Sequence, residues 1–126
     1  TIKVYYFNAD WCPYCKVAKP IWNSFVKKHK LDRQVTFKDI NCSNADRRGP
    51  KAPLNTCVNL ESGKETLLIE EIVKGYPTIL MVIGDLETIK GKRSSLNKNN
   101  IYLLDSDITK FNLEQFYTGA LENVTY

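Results

Sequence analysis

Ile2-Lys3-Val4-Tyr5-Tyr6-Phe7-Asn8-Ala9-Asp10-Trp11-Cys12-Pro13-Tyr14-Cys15 runs from a β-rich stretch straight into two closely spaced cysteines. Branched and aromatic residues fill positions 2–7, and the turn formers Asn8 and Asp10 close them off, which predicts a buried central strand. Cys12 then opens a helix that continues to about Lys30. Its apolar residues Val17, Ala18, Ile21 and Phe25 recur at three- and four-residue spacing, with Lys16, Lys19, Asn23 and Lys27 between them. Pro20 removes one backbone donor inside that pattern. A kink rather than a stop is expected, because the periodicity resumes beyond it. Residues 35–40 form a second β-rich run, so the opening of the chain reads as strand, helix, strand. That unit predicts two parallel strands joined by a right-handed crossover.

Outward from this unit the signals thin. Residues 43–68 are polar and punctuated by Gly49-Pro50, Pro53 and Gly63, with short helical pieces expected near 43–48 and 67–73. Thr78-Ile79-Leu80-Met81-Val82-Ile83 is an apolar strand. Gly84-Asp85 suits a tight turn into residues 86–90, which would make an antiparallel hairpin at the sheet edge. Residues 91–108 are rich in Lys, Ser and Asn and read as a loop or extension. Asn112 and Gln115 resemble a capping box for a last helix that turns Leu113, Phe116, Tyr117 and Ala120 inward.

The totals fit one domain spanning 1–126. Hydrophobic residues make up 43% and charged residues 25%, an ordinary globular balance that needs no disulfide scaffold. The net charge of +4 is dispersed over Lys27, Lys28, Lys30, Arg47, Arg48, Lys90, Lys92 and Arg93, too thinly for a nucleic-acid footprint. No apolar run reaches membrane-spanning length, so no membrane insertion is expected. The opening Thr1-Ile2-Lys3 lacks an initiator Met and reads as a trimmed chain or one whose leader has been removed.

Asp10-Trp11-Cys12-Pro13-Tyr14-Cys15-Lys16, Pro20 five positions after the second cysteine, and Val73-Lys74-Gly75-Tyr76-Pro77-Thr78 together resemble the thioredoxin superfamily. The Pro-Tyr dipeptide is similar to that of many glutaredoxins. Trp11, Pro20 and the Tyr-Pro-Thr segment look more like thioredoxins and protein disulfide isomerase domains. The resemblance implies an α/β thioredoxin-like fold, a central mixed sheet flanked by helices, with insertions at about 43–68 and 91–108. It also implies that Pro77 is cis and presents the backbone of Tyr76 beside the cysteines, where an extended substrate could add as a strand. Thioredoxins carry an acidic residue six positions before the first cysteine, where it helps move a proton off the second. Here that position is Tyr6.

The chemistry follows from placement. Only a thiolate attacks a disulfide. A cysteine at a helix start faces unsatisfied N–H groups and the positive end of the dipole, both of which favour the anion. Cys12 is therefore expected to be the exposed nucleophile. Cys15, one turn deeper, is expected to resolve the mixed disulfide. Pro13 suits the first helical turn, and Trp11, Tyr14, Tyr76 and Pro77 would line the substrate groove.

Half of a zinc site is the competing account of Cys12 and Cys15. It lacks a second Cys or His pair at ligand spacing, and His29 reads as a surface residue on a Lys-rich helix end. No metal or other cofactor is assigned. Cys42 and Cys57 read as two buried apolar side chains or as a structural disulfide, which would fit an oxidising compartment.

The expected function is thiol–disulfide exchange with protein substrates and a redox partner, reductase or oxidase. A protein-binding module of the same fold, with vestigial or regulatory exchange, is the alternative. Glutathione-dependent exchange is a third reading, resting on the Pro-Tyr dipeptide alone. Cytoplasm and secretory pathway both fit.

Overall fold

Strand β1 (Ile2–Asn8) is buried along both faces because its alternating side chains serve two different cores. In the computed structural model, which describes residues 2–32, 35–43, 57–58, 60, 65, 68–69, 72–84 and 101–122, helix α1 (Pro13–His29) follows directly. Strands β2 (Val35–Asn41), β3 (Thr78–Ile83) and β4 (Ile101–Leu103) and helix α2 (Lys110–Glu122) complete the described elements. The sheet runs β2-β1-β3-β4. β1 pairs with β2 in parallel, from Ile2 opposite Val35 to Asn8 opposite Asn41, and with β3 antiparallel.

Val4, Tyr6, Ile79 and Met81 meet Ala18, Trp22 and Phe25 of α1 and Leu113 and Tyr117 of α2 on one face. Tyr5, Phe7, Leu80 and Val82 meet Ile40, Cys42, Cys57, Leu68 and Ile69 on the other. This is an α/β thioredoxin-like arrangement, and β1 sits at its centre.

Several expectations are corrected. β3 finds its second neighbour at Ile101–Leu103, with Val82 opposite Ile101 and Leu80 opposite Leu103, so part of the stretch 91–108, expected as a loop or extension, is a strand. Ile101 packs into one core while Tyr102 and Leu104 pack into the other, so this short run reaches both faces of the sheet. Residues 86–90 themselves lie outside the described residues, as do 44–56 and 91–100. α2 is capped by Thr109, whose hydroxyl accepts the Asn112 N–H at 3.0 Å, so Asn112 is the donor rather than the cap. Leu68 and Ile69 are helical, and the Leu68 carbonyl accepts N–H groups from Ile72 and Val73. α1 continues through Pro20, but Val17 points outward at 69% exposure while Trp22 takes the inward place.

His29 is not a surface residue. Its side chain is 15% exposed, one ring nitrogen 2.9 Å from Asp32 Oδ2 and the other 2.9 Å from Glu114 Oε1. Carboxylates accept only, so both contacts are hydrogen bonds when the ring carries both protons. Tyr117 donates to Asp32 at 2.6 Å, and Lys28 lies 3.2 Å from Glu114. The hydrogen bond from Tyr117, helped by His29, holds the Asp32 carboxyl below its ordinary range. Burial opposes ionisation of Glu114, but its contacts with His29 and Lys28 outweigh that and lower it too. Depressed carboxyls stabilise a fold above the ordinary carboxylate pKa, about 4. They lose that contribution as pH falls through the folded values. The His29→Asn variant should therefore show a shallower acid limb when stability is followed by urea unfolding across pH. An unchanged limb would mean that this α1–α2 clamp contributes nothing.

Candidate active site

The loop between β1 and α1 is short, so the last residues of a rigid central strand set where the helix begins. Cys12 N–H bonds to Ala9 O at 3.2 Å, and Cys12 takes the N-cap position of α1 in an extended conformation. Pro13 follows in the first turn, where no N–H is needed. The Cys12 sulfur accepts the Cys15 N–H at 3.2 Å and lies 3.4 Å from the Tyr76 carbonyl, to which its thiol can donate. The first contact strengthens when the sulfur ionises, whereas the second needs the proton. The Tyr76–Pro77 peptide is cis.

Cys15 sits one turn in, and burial, followed by its contact with Cys12, pushes its thiol up to about 12. Beneath it Tyr6, fully buried and stacked on Trp22 at 5.2 Å, donates its hydroxyl to the Cys15 carbonyl at 2.9 Å. Burial first, then the charges of Cys15 and Asp39, raise the Tyr6 phenol well above its ordinary value. Tyr6 therefore stays a donor at neutral pH and cannot take the proton that leaves Cys15. The carboxylate on this face of β2 is Asp39, which sits opposite Tyr6, pairs with Lys19 and accepts the Asn8 amide.

One expectation about the pair is corrected. Cys12 is 4% exposed, no more than Cys15, instead of standing open to solvent. Trp11 and Tyr76 pack against the cluster of Ala9, Cys12 and Cys15 and meet each other edge to face at 5.9 Å. The Trp11 indole N–H is anchored to the Ser43 carbonyl at 2.8 Å. Sequence patterns weigh a residue by its own helix position and miss a cover contributed from 64 residues away.

Tyr14 projects outward at 77% exposure, and Pro13 is exposed. A groove of about 570 Å³ opens beside them, bounded by Tyr14, Val17, Pro77 and the turn Ser106, Asp107 and Ile108. Val17 was expected in the core, and nothing local in residues 106–108 signals a place beside Pro77; the pairing of β4 with β3 brings them there. Cys42 and Cys57 form a disulfide within the core on the opposite face of the sheet from α1. Among the described residues no three His, Cys, Asp or Glu side chains cluster as metal ligands, and no helix is long and apolar enough to cross a membrane.

Comparison with known proteins gives one family match: the model described as Thioredoxin aligns with residues 1–61. Among solved structures, one titled "Structure of a malarial protein" is similar over 96% of this chain and 98% of its own, with TM-score 0.52 and 16% identity. Thioredoxin O2 from Arabidopsis thaliana, in the oxidized state, matches over 75% of this chain and 74% of its own, with 22% identity and TM-score 0.37. The first of these is a likeness of fold alone.

Proposed function

Since the chain belongs to the thioredoxin superfamily, a group of thiol–disulfide oxidoreductases, we propose that it exchanges disulfides with protein substrates through Cys12 and Cys15. The observation that carries this reading is the asymmetry of the pair. The Cys12 sulfur caps α1 and is held by a backbone N–H, while the Cys15 thiol is buried with its proton held tightly.

In the reducing direction the Cys12 thiolate attacks one sulfur of a client disulfide, and the departing client thiolate takes a proton from solvent. Cys15 then loses its proton and attacks the Cys12 sulfur. The mixed disulfide breaks, the second client thiolate leaves and is protonated, and a Cys12–Cys15 disulfide remains. The client has gained two electrons and two protons, which a dithiol redox partner must restore to the pair. The oxidising direction runs the same steps backwards. A reduction potential near about −270 mV would fit a reductase, and about −180 mV or above a disulfide donor or isomerase. Client chains would approach along Trp11 and Tyr76 and the groove beside Tyr14 and Pro77.

The test is trapping. Cys15→Ser should accumulate client proteins through Cys12 and release them with dithiothreitol, and Cys12→Ser should hold none covalently. The burial of Cys12 favours one second reading, a binding module of the same fold. Retention of a partner by Cys12→Ser without any covalent product would support that module and sink the exchange reading.

A further inference from the structure

We propose that the Cys42–Cys57 disulfide positions the active site, by holding the segment Asn41-Cys42-Ser43 whose Ser43 carbonyl keeps the Trp11 indole across Cys12. The inference rests on the exchange reading for its significance but not for its geometry.

β2 is the edge strand of the sheet, and among the described residues β1 is the strand beside its C-terminal end. Four hydrogen bonds join that end to the loop that leads into Cys12. Cys42 N–H donates to Asn8 O at 2.7 Å, and Asp10 N–H to Ser43 Oγ at 2.8 Å. Asn41 Nδ2 donates to Asp10 Oδ1 at 3.2 Å, and Trp11 Nε1 to Ser43 O at 2.8 Å. Asn41 Oδ1 in turn accepts the Ser43 N–H at 2.8 Å, which fixes the turn itself.

The disulfide ties this segment down from the other side. Cys57 is bonded to Cys42, and the next residue, Val58, donates its N–H to Asn41 O at 2.7 Å. Cys42 is fully buried, and Tyr76 packs against both the core that contains the disulfide and the cluster that contains Cys12. Disulfide, Ser43, Trp11 and Tyr76 thus form one contiguous cover whose far end is the 4% exposed Cys12. Among the described residues, the tie that remains on the Cys57 side without the crosslink is the backbone hydrogen bond from Val58 to Asn41, and the Ser43 carbonyl is held less firmly. Trp11 is then a positioning residue for access to the nucleophile, and the Cys42–Cys57 pair acts through it.

The experiment measures the rate at which iodoacetamide alkylates Cys12. A Cys15→Ser background with Cys42–Cys57 oxidised leaves Cys12 as the one thiol. Cys42→Ala/Cys57→Ala removes the crosslink, while Trp11→Phe keeps the disulfide and a ring but deletes the indole N–H. Each should raise the rate by about fivefold, the factor that losing one hydrogen bond of ordinary net strength, about 1 kcal/mol, allows. The two together should give little more than either alone, because they cut the same link. Unchanged rates in variants that melt cooperatively, or effects that multiply as independent changes do, would overturn the proposal. Should the double alanine variant fail to fold, Cys42→Ser/Cys57→Ser, which removes the crosslink while keeping side chains of nearly the same size, takes its place. Alkylation needs only a reachable thiol, so failure here is distinct from failure to trap clients.

Discussion

Resolution of the mixed disulfide by Cys15 is expected to accelerate by about tenfold for each unit of pH through the neutral and mildly alkaline range. In the proposed exchange the attacking species is the Cys15 thiolate, and burial first, then the contact with Cys12, pushes that thiol up to about 12. Once Cys12 is bonded to a client its charge and its thiol are gone, and their share of the shift goes with them. Burial remains. The thiol in the intermediate therefore stays above its ordinary value of 9.0, and its ionised fraction keeps rising with pH throughout that range. Tyr6 cannot level this dependence, since its phenol keeps its proton and already donates to the Cys15 carbonyl. Single-turnover decay of a mixed disulfide formed with Cys12, followed by stopped flow across pH, measures it. A flat profile would mean that some base takes the Cys15 proton. The same shift has a sign for stability. A thiol with a raised folded value favours the native state fully below its unfolded value and loses that contribution as pH rises towards the folded one. The reduced protein should therefore weaken in alkali, and the Cys12–Cys15 disulfide form, which has no thiol to titrate there, should not show that term.

Trp22→Ala is expected to cost about 3–5 kcal/mol of folding stability. Trp22 is 2% exposed and lies between the sheet and the rest of α1, with Tyr6 at 5.2 Å, Phe25 at 5.9 Å and Phe37 at 6.2 Å between ring centroids. Its removal leaves a cavity bordered by three rings that cannot all collapse into it, because Tyr6 and Phe37 are fixed on paired strands. A domain of ordinary stability has about 5–15 kcal/mol in all, so the loss is a large share of the total. The same change removes the stack that orients Tyr6 beneath Cys15, so the resolving step should slow along with the loss of stability. Denaturant midpoints with an unchanged slope give the first number. A loss below about 1 kcal/mol would mean that the ring is not the packing centre described above.

What could be read in the sequence was whatever one element's own pattern decides. β1 and β3 announce themselves because strands buried on both faces are runs of branched and aromatic residues, and β2 does so through Val35, Phe37 and Ile40 although it lies at the sheet edge. α1 is legible because Ala18, Ile21 and Phe25 recur at helical spacing. Cys12 at the head of that helix, and the distant Tyr76-Pro77, were recognisable as a resemblance. Features decided between elements were not legible. The edge strand Ile101–Leu103 has three residues, too few for a periodic signal, and its partner settles it. Val17 fits the apolar stripe as well as Trp22 does until the sheet chooses which side of α1 to cover. His29 looks like the end of a basic helix because Glu114 and Tyr117 arrive from α2. Thr109 outbids Asn112 as a cap because the chain leaves β4 at the point that makes it the first residue of the turn.

The position of β1 between β2 and β3 has a consequence for how such a chain is made. The parallel partner of β1 begins at Val35, within the same opening unit, but its antiparallel partner begins at Thr78. As the chain is made, Ile2–Asn41 can therefore assemble a strand–helix–strand unit while one whole flank of its most apolar strand stays unpaired. The hydrogen-bonding row of Ile2–Asn8 then waits for a segment that the ribosome has yet to add, and an open row of that kind accepts any passing strand. The residues that match the thioredoxin family end at 61, short of that closing segment. A chain that ended at residue 61 would carry Cys12 and Cys15 on an unfinished sheet, its central strand open until Thr78–Ile83 could pair with it.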